Sequence, residues 1–185
     1  MVCAPMISKI VEKMRCQLDD WHNAGLDFFP MDTTGWGADP ESVEGQVYRL
    51  AYNNYENWHT EELVLTIADS VTAITRYRQG LRFNRDRNAA MEKLDQIMCG
   101  LQKETGEWHS ETLSSIFDRI SVLHLKKLHA LTEAPQKVAL LKQQANFLAE
   151  YAHRLHEDII AGRRRCLFFT RLKLFNTFAQ GEDAL

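Results

Sequence analysis

The chain is poor in residues that interrupt helices, and it has no long run of apolar residues. Its 185 residues include 9 glycines and 4 prolines, too few for a collagen-like or low-complexity protein. No apolar run approaches the ~20 residues that a membrane-spanning helix needs. Residues 1–13 have neither the apolar core nor the cleavage pattern of a signal peptide. The sequence therefore predicts a cytoplasmic protein without a membrane span.

Closely spaced cysteines and excess charge are also lacking. The 4 cysteines form no Cys-x-x-Cys pair, and reduced thiols are expected. The formal net charge is −3, so nucleic acid is not a predicted partner. The basic run at residues 163–165 is typical of a solvated helix end that complements the helix dipole. There is no phosphate-binding glycine loop and no motif typical of a catalytic serine or cysteine.

What the sequence does have is helical periodicity. Apolar residues recur every three or four positions in five segments, at about residues 5–23, 39–63, 66–100, 112–131 and 132–162. Asp39 and Pro40 have the pattern of an N-cap followed by the first helical residue, and the preceding residues 26–39 are predicted to be a loop held by its own aromatic side chains. We predict one all-α domain over residues 1–185. It is an up-and-down bundle of about five helices, without strands, and it carries a short basic and aromatic segment at residues 163–176 that forms either a short helix or an ordered strap.

Polar residues continue the apolar stripes of the second and third helices. On the second helix the stripe of Val43, Val47 and Leu50 continues at Asn54, Trp58 and Glu61. On the third helix Ile67, Ile74 and Leu81 are followed by Asn84, Asn88, Met91 and Asp95, with Arg87 and Glu92 beside them. A buried polar group without partners costs about 2–7 kcal/mol, so these residues must bind one another or face a cavity. The sequence predicts a polar centre between helices.

Further polar residues are predicted to surround this centre. They are His59 and Glu62 on the second helix, and Glu111, Asp118, Arg119 and Ser121 near or on the fourth. One interpretation is a hydrogen-bonded network that fixes the register of the helices. The other, which we favour, is a pocket for a ligand or for catalysis.

Two interpretations involve a divalent metal ion, which is a candidate cofactor. Glu56 with His59, and Glu150 with His153, have the Glu-x-x-His spacing by which helical bundles hold paired iron or manganese ions. Alternatively, carboxylates on two adjacent helices could hold Mg²⁺ for hydrolysis of a nucleotide pyrophosphate. The members of that set are Glu61, Glu62, Glu92 and Asp95.

Four blocks of the sequence share a pattern with a known family. The first block is Asn54, Trp58, His59, Glu61 and Glu62, and the second is Asn84, Arg87, Asn88, Glu92 and Asp95. The third block is Ser110, Glu111, Thr112, Ser115, Asp118, Arg119, Ser121 and Lys126, and the fourth runs from Gly162 through Lys173 to Phe175 and Asn176. Together they cover about residues 50–176 and resemble a family of uncharacterised bacterial proteins, domain of unknown function 4254.

The chain departs from that family pattern at several positions. Leu65 stands where an arginine often follows the acidic pair, and Ala89 stands where an aspartate is usual. Leu113 and Ser114 replace a proline and a glycine. The resemblance therefore indicates a divergent member. It implies no established reaction, and it implies an association with surface glycans because relatives tend to be encoded beside glycosyltransferases for lipopolysaccharide and similar polymers.

Three functions remain as hypotheses, and the sequence does not decide whether the protein is an enzyme. The first is binding or processing of a sugar nucleotide or glycan phosphate in lipopolysaccharide biosynthesis. Here Arg87, Arg119 and Lys126 would bind phosphate, while Asn54 and Asn88 would orient the ligand. Acid–base candidates are His59 and Glu61, and Trp58, Asn84, Glu111, Asp118 and Ser121 would complete the pocket. The second is a non-catalytic adaptor or scaffold that binds a glycosyltransferase or a second copy of itself, and the third is the metal-dependent hydrolase.

Overall fold

The described residues form five α-helices and one very small sheet. The computed structural model describes residues 5–25, 31 and 35–166. The helices are α1 (Pro5–Ala24), α2 (Val43–Thr66), α3 (Ser70–Cys99), α4 (Leu113–Glu133) and α5 (Val138–Ala161), and the strands are β1 (Glu107–His109) and β2 (Arg164–Cys166). The predicted all-α bundle is confirmed, although the two strands were not expected. Within these residues, no helix has both the length and the apolar character needed to cross a membrane.

The order of contacts along the helices gives their directions. The Trp21 carbonyl of α1 accepts a hydrogen bond from Tyr55 of α2. Lys13 and Glu44, which form an ion pair, lie earlier on the same two helices. The helices α1 and α2 are therefore parallel. Short connections at residues 67–69 and 134–137 make α2–α3 and α4–α5 antiparallel pairs. Contacts of Asn54 with Asp118, and of Glu62 with His129, show that α4 runs parallel to α2. The C-terminal ends of α1, α2 and α4 therefore meet at one end of the bundle.

Local side-chain chemistry sets the helix boundaries. Ser42 caps α2 by accepting a hydrogen bond from the Gly45 amide at 3.1 Å, so the predicted start of α2 at Asp39 and Pro40 is wrong. Those two residues form the preceding turn, in which the Asp39 carbonyl accepts a hydrogen bond from the Ser42 amide. Asp69 caps α3 through the Thr72 amide at 2.8 Å, three residues after the predicted start. Ser and Asp oxygens at these positions satisfy amides that have no partner inside the helix.

The core follows the apolar stripes of α1, α2, α4 and α5. Fully buried side chains include Leu18, Leu50, Ile116, Phe117, Ile120 and Leu155. The predicted stripe of the third helix is wrong at Ile74 and Leu81, whose exposed fractions are 54% and 51%. The buried apolar residues of α3 lie in its second half, from Ala90 to Met98, whereas in the first half only Gly80 is buried, where α3 approaches Thr60 of α2 closely.

The small sheet ties the segment before α4 to the end of α5. Its strands β1 and β2 are parallel, and Trp108 pairs with Arg165. The guanidinium of Arg165 also lies 3.9 Å from the centre of the Trp108 ring, a favourable cation–π geometry. Residues 164–166 of the predicted basic segment thus form a strand. Residues 167–176 of that segment, and the loop predicted at residues 26–39 apart from residues 31 and 35–39, lie outside the described residues.

Candidate functional site

A polar centre lies between α2, α3 and α4. The Nδ2 atom of Asn54, which is 4% exposed, donates hydrogen bonds to Oδ1 of Asp118 at 2.9 Å and to Oγ of Ser121. The Ser121 hydroxyl donates to the Asp118 carbonyl at 2.8 Å, and Nε of Arg87 lies 3.8 Å from the Asp118 carboxylate. The Asn54 amide uses both of its N–H groups in these bonds, so it has no donor left for a ligand. This centre has the character of a network that fixes the register of the helices.

A second cluster, which we call the histidine cluster, consists of His22, His59 and His129. One ring nitrogen from each can be chosen so that all three lie within 4.8 Å of one another. The carboxylate of Glu62 lies 3.2 Å from Nδ1 of His129 and 3.6 Å from Nδ1 of His59. The indole of Trp58 donates a hydrogen bond of 2.6 Å to Glu62 and stacks on the His129 ring at a centroid distance of 5.0 Å. Three helices thus bring three imidazoles together, two of which lie beside one carboxylate.

Within the histidine cluster, the electrostatic surroundings of His22 favour a neutral ring. Burial, followed by the neighbouring His129, lowers the pKa of His22 below its ordinary value. The carboxylates of Asp19 and Glu62 act in the opposite direction. The desolvation of the ring is the larger effect, so His22 is a neutral donor near pH 7.

Two grooves adjoin the polar centre, one lined by Arg87 and the other by Asp118. The α2–α3 groove, of about 480 Å³, is lined by Glu61, Asn84 and Arg87 together with exposed apolar residues. The α4–α5 groove, of about 670 Å³, is lined by polar, cationic and apolar side chains. They include Asp118, Arg119, Lys126, Gln143, Gln144 and Phe147.

The remaining predicted site residues are dispersed. Glu61 is exposed and accepts a hydrogen bond from Asn57 at 2.8 Å, so the prediction that its side chain points inward is wrong. Glu62, one position later, is half-buried and contacts Trp58, His59 and His129. Glu111 forms an ion pair with Arg119. Of the others, Asn84, Asn88 and Asp95 are half-buried, whereas Glu92 and Lys126 are exposed.

The metal sites predicted from spacing are not assembled among the described residues. Glu61, Glu62, Glu92 and Asp95 do not form a group with metal-ligand spacing there. Glu56 is completely buried, and it is not part of the histidine cluster that contains His59. His153 is paired with Glu157 and Glu150 with Arg154, which is the ordinary chemistry of a helix surface.

Sequence reasoning did not select His22 or His129. No local motif contains them, because His22, His59 and His129 come from three separate helices. A signal was present for His129. It follows Asp118 by eleven residues and Ser121 by eight, which puts it on the same face of α4, and this spacing alone would have placed it near the same face of α2.

Comparison with known proteins identifies one family. A family model described as "Protein of unknown function (DUF4254)" matches residues 44–167, which include all of the polar centre. The match includes His59 and His129 of the histidine cluster, whereas His22 precedes it. No curated protein and no solved structure matches the chain significantly.

Proposed function

This chain belongs to the DUF4254 family of proteins of unknown function, and we propose that it binds a phosphate-bearing small molecule in the α4–α5 groove. Sugar nucleotides and glycan phosphates are the ligand classes that combine a phosphate with an apolar or stacking surface. Such ligands fit the role in surface polysaccharide assembly, lipopolysaccharide included, that the family resemblance implies. The proposal concerns binding and includes no reaction.

The observation that carries the proposal is the pairing of two cations with an exposed aromatic ring. Arg119 and Lys126 are seven residues apart, two turns on one face of α4, and both line the groove. Opposite them on α5, Phe147 is 62% exposed and Leu140 is 56% exposed. Guanidinium and ammonium groups bind phosphate, and an exposed ring offers a surface for a base or a sugar.

The charges in the groove favour an anion. The carboxylate of Asp118 is turned toward Asn54 and Arg87, and Lys126 makes no ion pair with any residue that the structure describes. Arg119 is held by Glu111 at the edge of the groove. A ligand phosphate would compete with Glu111 for this guanidinium. Asn54 and Arg87 would not contact the ligand, but they would hold the Asp118 carboxylate away from it.

A ligand screen with matched variants tests the proposal. Thermal shift and calorimetry should show stabilisation by a uridine diphosphate sugar or a sugar phosphate. A ligand at about one hundred times its Kd adds about 2.7 kcal/mol to the free energy of unfolding. Arg119→Ala and Lys126→Ala should each weaken binding about tenfold or more, because each removes a charge-assisted contact worth about 1.5–3 kcal/mol. Lys137→Ala, which removes an exposed lysine elsewhere, should bind like the wild type.

Two results would contradict the proposal. One is the absence of stabilisation by every phosphate-bearing compound, inorganic phosphate included. The other is unchanged affinity in the Arg119→Ala, Lys126→Ala double variant, which would place the ligand elsewhere.

The adaptor hypothesis is supported by a separate surface, the apolar face of α3. Val71, Ile74, Tyr77 and Leu81 follow a helical spacing of three or four residues, and each is more than half exposed. Contiguous exposed apolar surface is typical of a site for another protein. Light scattering after gel filtration would detect self-association, and pull-down would detect a glycosyltransferase. Ile74→Glu should abolish either complex, whereas Thr75→Glu on the adjoining exposed face should not.

A further inference from the structure

Three imidazoles converge where the C-terminal ends of α1, α2 and α4 meet. His22, His59 and His129 each offer a ring nitrogen within 4.8 Å of the other two. Three nitrogens bound to one Zn²⁺ at 2.0–2.1 Å lie about 3.4 Å apart in tetrahedral geometry. Each nitrogen must therefore move by less than about 1 Å, which small side-chain rotations provide.

The two ring nitrogens of His129 have different surroundings. Its Nδ1 lies 3.2 Å from Oε1 of Glu62, within ion-pair distance of this carboxylate. Its Nε2 is buried and has no hydrogen-bond partner among the described residues. A metal-binding histidine characteristically gives one N–H to a carboxylate and presents the other nitrogen to the ion. The Glu62–His129 pair has a carboxylate beside Nδ1 and a buried Nε2 that is left for an ion.

His59 is oriented by the same carboxylate. Its Nδ1 lies 3.6 Å from Oε2 of Glu62, and 14% of its side chain is exposed. The aromatic ring of Tyr55 packs against it with a centroid distance of 4.4 Å. Packing and one shared carboxylate thus restrict the rotamers of two of the three imidazoles, which reduces the entropy lost when an ion binds.

The surroundings carry net negative charge. The carboxylates of Glu62 and Asp19 and the ammonium of Lys127 are the charged groups that act on His22. Two negative charges and one positive charge near His22 favour a cation there, and imidazole nitrogens are suitable ligands for a borderline-soft ion.

We propose that His22, His59 and His129 bind one divalent transition-metal ion of the Zn²⁺ class, with Glu62 positioning His59 and His129. Three protein ligands leave the fourth position of a tetrahedral ion for water, as in catalytic zinc sites. The site is made of none of the residues that line the α4–α5 groove. It can therefore fail or succeed independently of the proposed anion binding.

The test is a calorimetric titration of the chelator-treated full chain with Zn²⁺. The wild type should bind one equivalent. His129→Gln and His59→Gln should each weaken the Kd at least about tenfold, and Glu62→Gln, which keeps all three ligands, should weaken it about 10–100-fold. His22→Ala is a further ligand variant, at the end of α1, and circular dichroism of each variant confirms that it is folded. His153→Gln removes a histidine that is paired with Glu157 outside the cluster, and it should leave the Kd unchanged.

The exposed thiols of Cys16 and Cys99 are alternative ligands for Zn²⁺. X-ray absorption of the Zn²⁺-loaded protein distinguishes thiol ligands from imidazole ligands. Nitrogen ligands at about 2.0–2.1 Å support the proposal, whereas sulfur ligands at about 2.3 Å overturn it. The proposal is also overturned if the wild type shows no saturable binding, or if folded ligand variants bind Zn²⁺ as the wild type does.

Discussion

Asn54 of α2 donates a hydrogen bond of 2.9 Å to Asp118 of α4, and the same amide group also binds Ser121. Substitution Asn54→Ala leaves a carboxylate and a hydroxyl without this donor inside the bundle. We expect it to lower the free energy of unfolding by about 2–4 kcal/mol, measured by urea denaturation with an unchanged m value.

The matched control for this prediction is Asn57→Ala on the same helix. Asn57 donates to the exposed Glu61, and loss of that bond should cost less than about 0.5 kcal/mol. Equal losses in the two variants would show that the polar centre contributes no more than a surface contact.

Because His156 is buried, we expect the free energy of unfolding to depend on pH. Its side chain is 1% exposed, neither ring nitrogen has a hydrogen-bond partner among the described residues, and burial lowers its pKa from the ordinary 6.5. The neighbouring His153 lowers it further. Below pH 6.5 the unfolded chain therefore takes up the proton first. The stability that is present above this pH is lost as the pH falls toward and through the folded pKa.

The variant His156→Leu tests this dependence. We expect the decrease in Tm between about pH 7.5 and about pH 5 to be smaller than in the wild type, because one buried proton acceptor is removed. At about pH 7.5 the variant should be as stable as the wild type or slightly more stable, since no polar ring atom is then left buried. An identical decrease in both proteins would exclude His156 as a source of the pH dependence.

Cys166 is predicted to be unreactive in the folded protein. Burial, followed by the charge of Asp95, raises the pKa of this thiol to about 11, and Sγ donates to the Glu111 carbonyl at 3.2 Å. Cys99 is exposed. Brief treatment with iodoacetamide should therefore modify Cys99 and leave Cys166 intact, as measured by peptide mass spectrometry. In urea the two should react alike; equal rates in the native protein would contradict the buried position.

Gly162 ends α5 in the left-handed conformation, with φ of 77°. An added Cβ would lie 2.7 Å from the Lys103 side chain, so Gly162→Ala should cost about 1–2 kcal/mol. Gly100→Ala is the control, because Gly100 has helical φ of −65° and space for a Cβ. It should be neutral or stabilising. If thermal denaturation gives the same shift for both variants, the backbone conformation at Gly162 is not the cause.

Local chemistry was sufficient for most of the fold. The apolar stripe predicted for α1 is buried, and the stripe predicted for α5 is buried from Ala145 onward, whereas Val138 and Leu141 at the start of α5 are half-buried. The stripe predicted for α3 is exposed at Ile74 and Leu81, because the periodicity of a sequence does not show whether another helix covers that face. The start of α2 was displaced because Asp39 and Ser42 are both good capping residues, and the tertiary structure decides between them.

The candidate site was predictable only where it continues a helical face. Asn54 follows Leu50 by four residues and is buried with it. Beyond Trp58 the same face of α2 continues at Glu62, which is four residues further on. The predicted position was Glu61, three residues further on, and helical spacing allows both positions. His22 and His129 are 107 residues apart in the chain, and only the parallel arrangement of α1 and α4 brings them together.

The pairing of β1 with β2 limits how far α4 and α5 can separate. Three residue pairs join the chain just before α4 to the chain just after α5, while the connection at residues 134–137 joins the opposite ends. The α4–α5 pair is therefore connected at both ends. The groove between Arg119 and Phe147 is therefore preorganised. A molecule that binds there would lose little affinity to the ordering of the two helices.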